Sequence, residues 1–435
     1  MKFLIASLGD FERWKEVKYR FGEETSVGPS TLTILQKHIN PDWTVIVLSD
    51  TIGKDFSSLE ALREDIKNRV LDFLDRIGAG REVDIIIVPG IGEFSHGTFK
   101  GSAMDTYYYL LYNFVHILPT SGPIEVHFDI THGLNYITLL VYRALKELLG
   151  ILAIGDPVRF VAYNSDPFVP KVTKELTINV IEEGRIEPQP LSEPLPDFNK
   201  YIFPNSNDKK DIGKRNKELK NKLKVFKFLR EKQRPLEAWI GSVVLGLPLM
   251  FIENFPDKKE LEEVVEEVLN EWENAIEISD KLVQRTLKLE RGFGVLEKIL
   301  FQVKVLEKYL PQNPPSIDNL YKVSNQIFRG ATKERVNTEL GKIEDRAIKY
   351  VSLGLFPDWM LLRDFFWRQD ANRNIVRRNL LAHAGFEMNV TEVKIEGWKV
   401  KDANHETRNH VFLRYCKNVK RNIEIEISKA LKEGL

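Results

Sequence analysis

Short apolar runs alternate with helical periodicity over residues 1–182. Runs at 3–6, 44–48, 84–88, 124–128 and 159–163 predict five strands. The second and third are nearly unbroken β-branched stretches, the pattern of strands covered on both faces. Segments 30–39, 59–77, 103–118 and 136–149 carry apolar residues at helical spacing. Strand–helix alternation predicts a parallel sheet with right-handed crossovers, a Rossmann-like domain over 1–185. Alternation at 174–182 adds an edge strand.

Prolines 188, 190, 194, 196 and 204 then cluster with Ser, Asn and Asp, which predicts a linker over 186–212. From 213 to 435 the pattern is mostly helical. It gives a basic helix over 214–232, an apolar one over 236–250, an acidic one over 260–283 and another over 287–310. Small helices at 316–355 read as an insertion. A long apolar helix follows over 359–384, then an alternating hairpin at 392–400 and a closing helix over 411–431. The fold class is therefore α/β followed by an all-α domain with a short β-hairpin.

Composition narrows the function classes. Lys+Arg and Asp+Glu each total 63, so the protein is not coated in one charge, although a local basic groove remains allowed. The charged fraction of 29% hints at a hot environment. A single Cys rules out an internal disulfide framework and a Cys-rich zinc site, and points to the cytoplasm. The N-terminal apolar run is too short for a signal peptide, and no run reaches the ~18 residues of a membrane span. His405 and His410 lack carboxylate partners at metal-ligand spacing.

In parallel sheets ligands sit beyond the carboxyl ends of the strands. Those ends read Ser7-Leu8-Gly9-Asp10, Ser49-Asp50-Thr51, Pro89-Gly90-Ile91-Gly92 and Asp129-Ile130-Thr131-His132-Gly133-Leu134-Asn135. Glycines permit close backbone approach, a helix N-terminus offers N–H donors, and Thr131, His132 and Asn135 add side-chain donors. The ligand residues expected here are Ser7, Gly9, Asp10, Gly90, Gly92, Asp129, Thr131, His132, Gly133 and Asn135. No G-x-G-x-x-G follows the first strand and no G-x-x-x-x-G-K-[ST] is present, which disfavours dinucleotide redox chemistry and ATP hydrolysis.

Further along, Arg377-Arg378-Asn379-Leu380-Leu381-Ala382-His383 places a cation, an amide and an imidazole together. Phosphodiester cleavage without a metal needs that set: a base for the ribose 2'-OH, an acid for the leaving oxygen and a fixed cation for the phosphorane. Asn379 and His383 share a helix face, so Asn379 is a candidate to fix the imidazole tautomer. Arg378 lies about 140° from His383 on an ideal helix. Either the helix distorts near Ala384-Gly385, or two chains share the site. Arg377 suits a substrate phosphate or a structural ion pair equally.

R-N-x-x-A-H resembles the signature of HEPN ribonucleases, and D-x-T-H-G-x-N after a strand resembles the CARF domain. Their pairing in one chain resembles the CRISPR-associated CARF–HEPN ribonucleases of type III systems, over most of its length. The resemblance implies a homodimer, with higher assembly open, whose paired CARF domains bind a cyclic oligoadenylate such as cyclic tetra-adenylate. That ligand would activate HEPN cleavage of single-stranded RNA, with no other cofactor, no metal and no membrane. Arg378, Asn379 and His383 would be catalytic. The rival reading is a non-enzymatic, nucleotide-sensing nucleic-acid-binding regulator, which the basic stretch at 214–232 would suit.

Overall fold

The computed structural model describes residues 1–80, 82–367, 375–396 and 407–434. They fold as two compact units, which the chain visits in turn. The first holds Met1–Gln189, Pro196–Val225 and Glu263–Phe301. The second holds Pro190–Leu195, Phe226–Glu262 and Gln302–Leu435.

The first unit is built on a sheet from β1 (Lys2–Leu8), β2 (Val17–Phe21), β3 (Glu24–Gly28), β4 (Trp43–Ser49) and β5 (Asp84–Val88). A side hairpin, β6 (Gly92–Phe94) and β7 (Gly97–Lys100), precedes β8 (Ile124–Asp129), β9 (Val158–Ser165) and β10 (Glu175–Arg185). The main sheet runs β3-β2-β10-β9-β8-β1-β4-β5, and its five strands from β9 to β5 are mutually parallel. All five predicted strands are present. The predicted edge strand is β10, and it is interior: it pairs antiparallel with β9 and parallel with β2. The β2–β3 hairpin covers its far side.

Helices α1 (Leu32–Ile39), α2 (Leu59–Ile77), α3 (Ala103–Ile117) and α4 (Asn135–Leu152) follow strands, as the periodicity predicts. Leu4, Ala6, Leu8, Ile46 and Leu48 pack beneath Leu62, Ile66 and Val70 of α2 in one continuous core. Burial of this kind stabilises by about 1.5–3 kcal/mol per large side chain.

The predicted linker is structured. Its β11 (Ile202–Pro204) pairs with β14 (Leu287–Leu289), and α5 (Lys209–Lys222) follows. The basic helix predicted over 214–232 breaks at Leu223, which is extended and buried, so α6 (Val225–Leu245) is separate. The acidic helix predicted over 260–283 stops early. After α7 (Pro248–Glu253), α8 (Lys258–Asn274) gives way to a hairpin of β12 (Ile276–Ser279) and β13 (Leu282–Arg285). Its turn residues Asp280 and Lys281 both have positive φ, 45° and 64°, the twist two-residue hairpins require. β13 continues onto β7 in a four-stranded sheet. The helix predicted from 287 begins at α9 (Arg291–Leu306), because β14 occupies the preceding residues.

In the second unit, 316–355 forms α10 (Ile317–Ile327) and α11 (Gly330–Ser352), a 23-residue helix. The predicted helix over 359–384 is not continuous. Met360–Leu361 is strand β15, Leu362–Phe365 is a one-turn helix α12, and Arg377–Ala382 is a separate helix α13. Of the predicted hairpin, residues 392–395 lie in β16 (Thr391–Ile395), while 397–400 lie outside the described residues. After one-turn α14 (Thr407–His410), the closing segment starts as strand β17 (Val411–Tyr415). Its alternating burial is the sheet period, and only Lys420–Glu433 is helix α15. The three strands form one antiparallel sheet, β15-β16-β17. No described helix is long and apolar enough to cross a membrane.

Candidate functional site

Within the second unit, α13 is six residues long and carries Arg377, Arg378 and Asn379 in its first turn. It ends in a Schellman cap: the Gly385 amide donates to the Leu380 carbonyl at 2.8 Å and the Ala384 amide to the Leu381 carbonyl at 3.3 Å. Ala384, not glycine, takes the left-handed position with φ 51°, and Gly385 follows at φ 85°. His383 is the cap residue, with φ −100° and ψ 30°. The distortion anticipated near Ala384-Gly385 is present, but it begins one residue beyond His383, whose amide still makes the helical bond to Asn379, so the angular offset from Arg378 stands.

The imidazole is held from α11. His383 Nδ1 donates to Glu339 Oε2 at 3.1 Å, and Lys342 Nζ donates to Glu339 Oε1 at 2.6 Å. The Glu339 side chain is 14% exposed and that of His383 42% exposed, so the carboxylate is fixed and the imidazole opens outward. A carboxylate on Nδ1 selects the tautomer that leaves Nε2 for a substrate. Asn379 supplies its main-chain carbonyl to the His383 amide at 3.0 Å. Glu339 thus takes the tautomer-fixing place that helical spacing offered to Asn379. Glu387 is buried nearby. Burial raises its pKa, while hydrogen bonds from the Asn389 amides and the charge of His383 pull the other way.

Arg377 is tied away from the site, 2.8 Å from Glu433 and 3.9 Å from Glu426. Its ion-pair role is the one observed. Arg378 and Asn379 are exposed, and among the described residues Arg378 forms no ion pair. His410 caps the α14 turn beside β17, and His405 lies outside the described residues.

The first unit carries a cleft of about 510 Å³ beyond the carboxyl ends of β1 and β4. There the strand order departs in both directions from β1, the switch point where open α/β sheets bind ligands. Gly9 and Asp10 line it from β1, Ser49 and Thr51 from β4, and Leu134 from the turn before α4. Its cations were not singled out by the sequence pattern. Lys54 and Arg69 bind the two oxygens of Glu12 at 2.7 and 2.9 Å, and Arg13 reaches Asp10 at 2.9 Å. The Lys54 hydrogen bond, with Arg69, holds the Glu12 carboxyl below its ordinary value against its partial burial. These cations can exchange a carboxylate for phosphate oxygens.

Of the predicted ligand residues only Gly9 and Asp10 line the cleft; most of the others are held in contacts of their own. Asp129 is buried, accepts from the Thr31 hydroxyl and the Thr131 amide, and so locks the loop. The Thr131 hydroxyl accepts from the Ser165 amide at 3.1 Å. A Cβ on Gly9 would lie 3.3 Å from Gly133 Cα, and one on Gly133 3.1 Å from Ser7 Cβ. The two glycines let the β1 and β8 loops touch. Gly90 is buried under the cleft, where a Cβ would fall 2.1 Å from Ser49 Oγ. Its amide donates to Asp50, and its carbonyl accepts from Arg285, which also pairs with Asp50. Gly92 has φ 148°, with the Phe94 ring close against it. His132 stacks on Trp14 with ring centroids 4.0 Å apart. Burial lowers its pKa, opposed by Asp129. Asn135 opens α4 and is exposed. Tertiary position, not motif, recruits Arg13, Lys54 and Arg69.

A cleft at the switch point of a Rossmann-like sheet, in a chain that also presents R-N-x-x-A-H on a capped helix, defines the CARF–HEPN class of CRISPR-associated proteins. Family models for the CARF and HEPN domains of the CRISPR system endoribonuclease Csx1 match residues 3–167 and 329–417. The chain is also 32% identical over 440 residues to the CRISPR system endoribonuclease Csx1 of Methanocaldococcus jannaschii, covering 96% of this chain and 91% of that one. The chain belongs to the Csx1 family of CRISPR system endoribonucleases. It is an endoribonuclease, which sets aside the non-enzymatic regulator. The HEPN match includes α11 and so Glu339.

Proposed function

We propose that the protein cuts single-stranded RNA without a metal, by attack of a ribose 2'-OH on the adjacent phosphate, and that a cyclic oligoadenylate switches it on. The observation that carries this reading is His383 held at Nδ1 by Glu339, at the end of the short helix whose first turn carries the exposed Arg378. Nε2 of His383 takes the 2'-OH proton or returns one to the 5'-oxygen as the P–O bond breaks. Arg378 clamps the non-bridging oxygens of the phosphorane as charge accumulates there. Asn379 positions the phosphate or ribose. The product is a 2',3'-cyclic phosphate and a 5'-hydroxyl.

One imidazole cannot begin as both base and acid. A two-fold homodimer supplies a second His383 and a second Arg378, which completes the set. The cleft cations around Glu12 suit the phosphates of a cyclic oligoadenylate, cyclic tetra-adenylate in the first instance. Such a ligand acts by favouring the dimer arrangement competent for cleavage.

The test is a pair of variants. His383→Ala and Arg378→Ala should each fold, bind RNA and cleave ~10²-fold or more slowly, the usual scale for losing acid–base catalysis. Wild-type rates in a well-folded His383→Ala protein would overturn the assignment. If each site draws on both chains, mixing the two variants restores partial activity.

A further inference from the structure

Helix α5 has three distinct faces. Ile212 and Leu219 form its inner seam, with Leu219 buried. Asp211 and Glu218 lie on one flank, where Asp211 pairs with Arg215 at 3.1 Å and Lys222 pairs with Glu271. On the remaining flank, Lys209, Lys210, Lys214, Lys217 and Lys220 fall within an arc of about 140° at roughly 100° per residue. Only Gly213 and Asn221 share that arc, so it contains no carboxylate. Among the described residues Lys209, Lys210, Lys217 and Lys220 make no ion pair, and Lys214 meets Glu218 only at 4.0 Å. The stripe runs roughly 17 Å at 1.5 Å rise per residue.

This arrangement works against the helix itself. Lys210 and Lys214 are spaced i,i+4, and Lys214, Lys217 and Lys220 follow at i,i+3, so like charges face each other at about 0.2–0.5 kcal/mol per pair. Lys209 and Lys210 occupy the first turn, where cations oppose the helix dipole. In a chain of zero net charge, five lysines, all but the half-buried Lys220 exposed, are thus placed at a cost to local stability on one flank.

We infer that the lysine stripe of α5 is a docking surface for the phosphate backbone of single-stranded RNA, outside the Arg378–His383 site. It rests on the ribonuclease reading for its choice of polyanion and adds to it a surface for substrate capture. The stripe offers no aromatic ring for base stacking and no Arg fork for base edges, so it holds RNA by charge alone, without sequence preference.

The test compares wild-type protein with a Lys210→Gln/Lys214→Gln/Lys217→Gln variant, all three side chains being exposed. Binding is read by fluorescence anisotropy on a 2'-O-methyl RNA of about 30 nucleotides, which cannot be cut by 2'-OH attack, across a salt series. The variant should bind about tenfold more weakly near 0.1 M salt, with a log–log salt slope shallower by about 2, at ~0.7 per phosphate contact. It should melt no lower than wild type, and its turnover on a minimal RNA should be unchanged. Equal affinity and slope in the two proteins would overturn the surface, as would tighter wild-type binding to duplex DNA or polyglutamate than to RNA. Because this probe is never cleaved, the outcomes separate. RNA binding that falls in the lysine variant, together with no RNA cleavage by the wild-type protein, supports the surface and removes the nuclease mechanism.

Discussion

Replacing Glu339 by Gln isolates the charge behind the imidazole proposed to be catalytic. Gln keeps the size and a carbonyl oxygen able to accept from His383 Nδ1, and removes only the negative charge. When His383 takes a proton in the transition state, the imidazolium gains the field of a carboxylate whose nearest oxygen is 3.1 Å away. For charge centres about 5 Å apart and an effective dielectric of 20–40, Coulomb's law gives about 2–3 kcal/mol. The lower end applies because the imidazole is 42% exposed. About 2 kcal/mol corresponds to a ~30-fold fall in kcat. KM should not change, since Glu339 is buried behind the ring and Lys342 covers its other oxygen. Glu339→Asp should recover part of the rate. Single-turnover cleavage of a fluorescent RNA gives kcat, and a melting curve confirms the fold. A folded Glu339→Gln protein with wild-type kcat would refute the reasoning, and a raised KM at constant kcat would place Glu339 in binding instead.

Gly385→Ala should destabilise by roughly 2–4 kcal/mol, combining left-handed strain with a Cβ 2.7 Å from Tyr415 Oη, and melting temperature measures it. Arg13→Gln and Lys54→Gln should raise the cyclic tetra-adenylate concentration for half-activation while sparing ligand-free cleavage; equal loss of both rates removes them from the sensor cleft. Burial pushes the Asp105 carboxyl up to about 7, with amide hydrogen bonds from Leu289 and Ser102 opposing. Between the ordinary carboxylate value near 4 and about 7, the folded state keeps a proton that the unfolded chain has lost, so stability falls as pH rises through that window. Asp105→Asn should flatten this slope in denaturant titrations at pH 4–8, and an unchanged slope counts against the shift.

Locally encoded features were legible. Helix α2 lies where its periodicity placed it, because Ser58 caps one end and Gly78, at φ 74°, stops the other. The β-branched runs marked the parallel strands for the same reason. The β12–β13 turn was hidden because Asp280-Lys281 takes left-handed conformations without glycine. The end of α13 was nearly legible: the helix expected to reach 384 stops at Ala382, and Ala384 and Gly385 are both left-handed. R-N-x-x-A-H marked His383, but its partner Glu339 lies 44 residues upstream on another helix. Glycines 9, 90 and 133 were singled out for ligand approach, and what the structure shows of them is close packing: a Cβ at each would press on a neighbouring loop. The cleft cations were invisible because only the folded chain brings Lys54, after β4, and Arg69, on α2, onto Glu12, beside the Asp10–Arg13 pair.

The central claim is a ligand-switched, metal-independent 2'-OH attack driven by His383. Its most direct measurement is the RNA product formed in EDTA, with and without cyclic tetra-adenylate, with the new 3' end identified by mass spectrometry. The account predicts faster cleavage with the ligand and a 2',3'-cyclic phosphate at the new end, both lost in His383→Ala. A 3'-hydroxyl product, a requirement for divalent metal, or a rate indifferent to the ligand would contradict it.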